Sequence, residues 1–245
     1  MGRGLAAIRA KSKRFFFMTT INVGLLVDPN TLKARYLFEH LCKSIGSYDS
    51  IHFTVITPKD INHGHIPSFL LKSHIVLHRN NISHQIDLEN LSHLDLVVSF
   101  GWPHIVSGLA IKSLPRIVNI HGGSLPDYKG GSVYLHMWAH KEKVGEATAH
   151  VMTKNIDDGN ILCTDKFSVS VFDSPKKILQ KSCTSSVKVL KNLVENNLMY
   201  DEGTTQKGGR YFYSASKSKL IFYRIVNEFL AFFNRKLLLP HRVSK

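Results

Sequence analysis

The stretch RIVNIHGG, residues 116–123, decides how this chain is read. Arg116–His121 is apolar enough to be a buried strand, and two glycines end it at once. Side chains on a strand alternate, so Asn119 and His121 point to the same side. They also stand at its C-terminal end, outside which open α/β sheets bind their ligands. Gly122 and Gly123 let a ligand approach the backbone. An irregular loop follows, Ser124-Leu125-Pro126-Asp127-Tyr128-Lys129-Gly130-Gly131, and then Val133–His140 reads as helix.

Working outward, short apolar runs alternate with segments of helix length. Strands are expected at Ile21–Val27, Ile51–Thr57, Ile75–Leu77, Leu94–Phe100, Thr148–Thr153 and Ile161–Val169. Asn30–Ile45 reads as a helix with Leu32, Tyr36, Leu37 and Leu41 on one face. Val171–Asn197 holds another, beginning near Ser174-Pro175, where proline suits a first turn. Gly101-Trp102-Pro103 breaks the strand before it. This alternation implies an α/β fold: a mostly parallel sheet with helices on both faces. The polar stretch Asp201–Gly209 is the expected boundary. It divides residues 18–200, a catalytic domain, from residues 201–245, a small basic C-terminal appendage. Leu220–Leu239 in that appendage is a basic amphipathic segment. It reads as a helix packed on the domain, with a membrane-surface or dimer helix as the alternative.

Composition limits the function. The 245 residues are 43% hydrophobic, ordinary for a globular protein, and no apolar run is long enough to span a bilayer. A cytoplasmic location is expected. The net charge of +14 sits mostly at the ends: five cations and no acid in residues 1–14, seven cations against Glu228 in residues 217–245. Charge placed on tails argues against a nucleic-acid groove in the folded body. Residues 1–17 read as a basic extension, either foreign to the native chain or a targeting segment. Three widely spaced cysteines and 14 scattered histidines suggest no disulfide framework and no metal site. His63-Gly64-His65 reads as surface.

A second polar cluster is Asn155-Ile156-Asp157-Asp158-Gly159-Asn160. By itself it is a turn between two strands, since Asp-Gly is a hairpin signal. It also offers a carboxylate that could meet His121 if the two loops converge.

Taken together, these segments resemble the folate-dependent formyltransferase superfamily. The resemblance covers roughly residues 20–170. It runs through Val97-Val98-Ser99-Phe100-Gly101, Asn119-Ile120-His121, the loop Ser124–Gly130, and Ile156-Asp157-Asp158-Gly159. It implies a Rossmann-like domain that uses N10-formyltetrahydrofolate as formyl donor, with Asn119, His121 and Asp157 as catalytic set. Asn119 would donate to the developing oxyanion, His121 would move the proton, and Asp157 would orient His121. Phe100, Gly101, Trp102, Gly123 and Asp158 are expected at the folate, with the Phe100–Trp102 turn as a wall for the pterin. Ser124, Tyr128 and Lys129 are expected at the acceptor.

There are departures. Gly123 stands where the family's Ser is usual, Ser124 where the first Leu is usual, and Lys129 where Arg is usual. Val27-Asp28-Pro29-Asn30 replaces the glycine-rich phosphate loop of glycinamide ribonucleotide formyltransferases. Too little chain remains for the C-terminal RNA-binding domain of methionyl-tRNA formyltransferases. The resemblance is therefore strongest to enzymes that formylate nucleotide-linked amino sugars. The expected partners are that sugar and folate, with no stable nucleic-acid partner; a homodimer and a membrane-surface contact through residues 217–245 stay open. Three alternatives stay open on function: another amine acceptor (methionyl-tRNA, an amino acid or a peptide), a formyltetrahydrofolate hydrolase, or a non-catalytic binding protein.

Overall fold

The computed structural model describes residues 20–44, 51–59, 61, 63–68, 70–71, 74–77, 89–213, 215–233, 235–237 and 242–243. Residues 1–17, expected to be an extension, lie outside them.

Seven strands form the main sheet: β1 (Ile21–Leu26), β2 (Ile51–Thr57), β3 (His74–Val76), β4 (Leu96–Ser99), β5 (Ile117–His121), and then β7 (Val144–Val151) and β8 (Ile161–Ser168). Their order is β3-β2-β1-β4-β5-β7-β8. The first five are parallel, whereas β7 runs antiparallel to β5 and β8 antiparallel to β7. The sheet is thus mostly parallel, as expected, with an antiparallel edge. The Asp-Gly turn expected between two strands is the connection from β7 to β8.

Strand alternation feeds two cores. Val23, Leu25, Val118 and Ile120 pack against α1 (Leu32–Ser44) and α4 (Pro175–Glu195), through Leu37, Leu41, Leu179 and Leu190. Leu26, Val97 and Ile117 turn to the opposite face and meet Ala110 of α2 (Gly108–Ser113). Each fully buried aliphatic side chain contributes about 1.5–3 kcal/mol relative to exposure, so these two faces hold the sheet. On β5, Asn119 and His121 share the side of Ile117, as a period of two requires.

The helices follow their caps. Ser174 accepts from the amide of Lys177 at 3.3 Å, and Pro175 opens α4 as expected. In α1 the buried residues are Ala34, Tyr36, Leu37, Phe38 and Leu41, whereas Leu32 is exposed. At about 100° per residue Leu32 lies on the opposite side of the helix from Leu41, so it cannot share the buried face, and it lines the open cleft instead.

Past residue 200 the chain turns back into the domain. Residues Arg210–Phe212 form β9, which pairs parallel to β6 (Lys129–Gly130) and antiparallel to β10 (Arg242–Val243). α5 (Lys217–Leu230) then lies on α3 (Val133–Ala139), burying Leu220 beside Ala139.

Candidate active site

The cleft lies at the C-terminal end of β5 and has a volume of about 580 Å³. Three expected residues converge there. Asn119 and His121 arrive on β5, and Asp157 arrives on the β7–β8 turn. Asp157 adopts a left-handed backbone, φ 51°, which short polar residues tolerate best. Gln206 holds that turn by donating to the carbonyls of Asp157 and Gly159 at 3.2 and 2.7 Å.

Hydrogen bonds settle the orientation of each group. His121 Nε2–H donates to the carbonyl of Tyr128 at 2.6 Å, because a carbonyl can only accept. That fixes the proton on Nε2 and leaves Nδ1 as the free nitrogen, 3.5 Å from Asp157 Oδ2. Burial pushes the His121 pKa below its ordinary value, opposed by the Asp157 carboxylate. Its resting form is therefore a neutral imidazole with a lone pair beside a carboxylate. Burial also resists ionisation of Asp157, but the His121 and His150 rings, when protonated, and the Gly130 amide outweigh it. The Gly130 N–H donates to Asp157 Oδ2 at 2.8 Å. The Asp157 carboxyl is held below the usual carboxylate range.

Asn119 is more constrained than its sequence position suggests. Its Nδ2 donates to Asp157 Oδ1 at 3.1 Å and lies 3.1 Å from His150 Nε2. His150 Nδ1–H donates to the Val151 carbonyl at 3.0 Å, so its Nε2 is an acceptor. Both amide hydrogens of Asn119 thus have partners. His150 is 2% exposed and was missed from sequence. It lies directly across the β5–β7 pairing from Asn119, which no spacing along the chain reveals.

Of the Phe100–Trp102 turn, only Trp102 lines the cleft. Phe100 is in the core, and Gly101 makes the turn at φ 87°. The indole N–H of Trp102 is buried and has no hydrogen-bond partner among the described residues. Gly123 sits behind His121, its carbonyl accepting from Thr148 Oγ1 at 2.9 Å. A Cβ at Gly123 would lie 2.7 Å from a Val133 methyl, so a Ser there would require that side chain to shift.

Besides Phe100, Gly101 and Gly123, four more residues expected there, Ser124, Tyr128, Lys129 and Asp158, do not line the cleft. Tyr128 is buried, stacked on Phe212, with its hydroxyl 3.0 Å from His140 Nδ1 and donating to Glu142. Lys129 is buried and pairs with Asp158 behind the β7–β8 turn. Ser124 contributes its carbonyl to the amide of Tyr128 at 2.7 Å. The loop from Ser124 to Lys129 folds inward because aromatic and aliphatic side chains around Phe212 bury Tyr128. The acceptor roles expected of Tyr128 and Lys129 and the folate role of Asp158 are therefore not where their polar atoms point.

Tyr211 and Lys33 are among the other residues that line the cleft, and neither carried a sequence signal. Tyr211 comes from β9. Lys33, from the first turn of α1, has its ammonium pushed by burial below the usual lysine range, opposed by Cys183 and Asp157.

A parallel α/β sheet with Asn, His and Asp converging at a strand end defines a class, and the sequence comparison agrees with it. Residues 54–194 match the formyl transferase family, and the chain belongs to that family. Among curated relatives, the bifunctional polymyxin resistance protein ArnA of Wigglesworthia glossinidia brevipalpis is 29% identical over 172 residues, 67% of this chain and 25% of that protein. The mitochondrial formyltetrahydrofolate deformylase 1 of Arabidopsis thaliana is 31% identical over 124 residues, 48% of this chain and 38% of that one. The chain thus spans well under half the length of these relatives. Among solved structures, a sugar N-formyltransferase from Shewanella sp FDAARGOS_354 superposes with TM-score 0.61 at 15% identity, covering 92% of this chain and all of that one. An N-formyltransferase from Helicobacter canadensis, in complex with folinic acid and dTDP-3-aminofucose, gives TM-score 0.56 at 17% identity over 86% and 81% of the two chains. At those identities the likeness establishes the fold. No described helix is long and apolar enough to cross a membrane.

Proposed function

We propose that this chain transfers a formyl group from N10-formyltetrahydrofolate to the primary amine of a nucleotide-linked amino sugar. The sugar is of the dTDP-amino-dideoxyhexose kind, used in the cytoplasm for surface polysaccharide such as lipopolysaccharide O-antigen. The observation that carries the reading is the neutral His121 Nδ1 facing Asp157 in a cleft that also holds Asn119.

The donor, when bound, supplies an electrophilic formyl carbon and a nitrogen leaving group. The cleft fits such a molecule in size. The unpartnered indole N–H of Trp102 is a donor left over for a bound group. His121 Nδ1 takes the proton that the attacking amine must lose, and the resulting imidazolium is stabilised by the adjacent Asp157 carboxylate. The same nitrogen then holds that proton for the leaving nitrogen. Asn119 reaches an oxyanion by exchanging its bond to His150, adding no net charge to the site.

The loop after β1 supports a sugar acceptor over a ribonucleotide: Asp28 Oδ1 accepts from the Asn30 amide at 3.0 Å, putting a carboxylate where a phosphate cradle would be.

The test is mass spectrometry of a panel of nucleotide-linked amino sugars incubated with the protein and N10-formyltetrahydrofolate. A formyl mass gain on one sugar is expected. Asn119→Ala, His121→Asn and Asp157→Asn should each lower turnover by about 10²–10⁴-fold with folding retained. Formate and tetrahydrofolate released at full rate without any amine would replace this reading with the hydrolase.

A further inference from the structure

α5 carries apolar side chains on two opposite faces, which a helix packed on a domain does not need. Its inner face is fully engaged. Leu220 and Asn227 are buried, and Asn227 Nδ2 donates to the carbonyls of Ala139 and Leu237, both at 2.9 Å. Arg224 donates to the carbonyls of Trp138 and Val171 at 2.8 Å and lies 5.4 Å from the Trp138 ring. These bonds fix the rotation of the helix about its axis.

The outer face is what that rotation leaves in solvent. Ile221, Ile225 and Phe229 recur every four residues, with Phe222 beside them and Phe232 following in the next turn. Their exposures run from 50% to 87%. Phe172, 94% exposed, stands next to Val171, whose carbonyl Arg224 holds, and adds an exposed ring close to this helix. An exposed apolar helix face of this kind marks an interaction site.

Its charge says what covers it. The nearby acids are neutralised: Glu228 by Lys141 and Arg224, Glu142 by Lys236, and Asp173 by Lys181. Lys217, Lys219 and Arg235 are exposed and have no carboxylate partner among the described residues. Two copies of this face brought together would set those cations against each other. A bilayer with anionic headgroups would supply the missing charge.

We propose that the outer face of α5, with Phe172, docks on an anionic lipid surface, its aromatic and isoleucine side chains entering the headgroup boundary while Lys217, Lys219 and Arg235 meet the lipid phosphates and carboxylates. This stands apart from the formyl-transfer reading, since no residue of the face lines the cleft. Each cation near an anionic surface strengthens partitioning about fivefold, so three give a preference on the order of a hundredfold over a neutral surface.

The full chain should be sedimented with vesicles of phosphatidylcholine alone and of phosphatidylcholine mixed with phosphatidylserine. Binding is expected to the mixed vesicles, about a hundredfold stronger than to the neutral ones and weakened by salt. Ile225→Ser with Phe229→Ser should lower it at least about tenfold. Lys217→Gln, Lys219→Gln and Arg235→Gln together should abolish the preference for anionic lipid. All five positions are exposed, and circular dichroism checks that each variant folds as the parent does. No binding to mixed vesicles, or unchanged binding by the Ile225/Phe229 variant, would overturn the proposal. So would a concentration-dependent dimer that the same variant dissociates, since that gives the face to a second copy.

Discussion

The Asn119 amide and the His150 ring face each other across the β5–β7 pairing, with 3.1 Å between Nδ2 and Nε2. The contact sets which way the amide of Asn119 points. His150→Ala removes the acceptor and lets that amide rotate. Misplacement of a reacting group by about 1 Å can cost about 10²-fold. We expect turnover to fall about tenfold to a hundredfold with KM little changed. His150→Gln, which keeps an acceptor, should recover part of the loss; steady-state kinetics of the two variants checks this.

His121 makes activity and stability depend on pH in a predictable direction. Its folded pKa is depressed, so the neutral base persists below pH 6.5. The acid limb of kcat/KM should fall below the ordinary histidine value. In Asp157→Asn the influence that raises the His121 pKa is gone, so the limb should move lower still while the plateau drops. Stability follows linkage. As pH falls from about 6.5 towards the folded pKa, the unfolded chain takes up a proton that the folded one does not, and stability declines. Denaturant titrations across that window should show the decline, and His121→Asn should make it shallower, with His40 and His136, also depressed by burial, supplying what remains.

Gly130 is required by its surroundings. At φ 98° a Cβ would lie 2.3 Å from the Phe212 carbonyl oxygen, a backbone atom that cannot swing away. Gly130→Ala should therefore cost at least about 2 kcal/mol, read as a lowered midpoint in urea. The Gly130 amide also holds Asp157, so activity should fall even where the variant is folded.

Tyr128 tests the difference between the site expected from sequence and the site observed. Its hydroxyl sits between His140 and Glu142, away from the cleft, and burial beside Glu142 raises its pKa. Tyr128→Phe should cost about 1–3 kcal/mol of stability by leaving buried polar groups unpaired. KM for the amine acceptor should stay as it was. A raised acceptor KM with unchanged stability would return Tyr128 to the acceptor site.

Much of this was legible along the chain because the signals are local. Apolar runs and caps locate the strands and helices. A period of two puts Asn119 and His121 on one face of β5. The motif order points to Asp157. The inverted edge was not legible, since nothing in Val144–Val151 says which way it runs beside β5. The inward fold of Tyr128 was not legible either, because Phe212, which buries it, lies far along the chain.

The sequence by itself determined the α/β class, the family, and the strand end on which two of the side chains proposed as catalytic stand. Tertiary structure decided what those side chains touch. Antiparallel pairing of β7 with β5 sets His150 against Asn119 and carries the turn that holds Asp157 to His121 Nδ1. The carbonyl of Tyr128 then chooses which nitrogen of His121 is free. The physical reason is range. Strand periodicity and capping act over a few residues, whereas a proton's position depends on which distant groups the fold brings within about 3 Å.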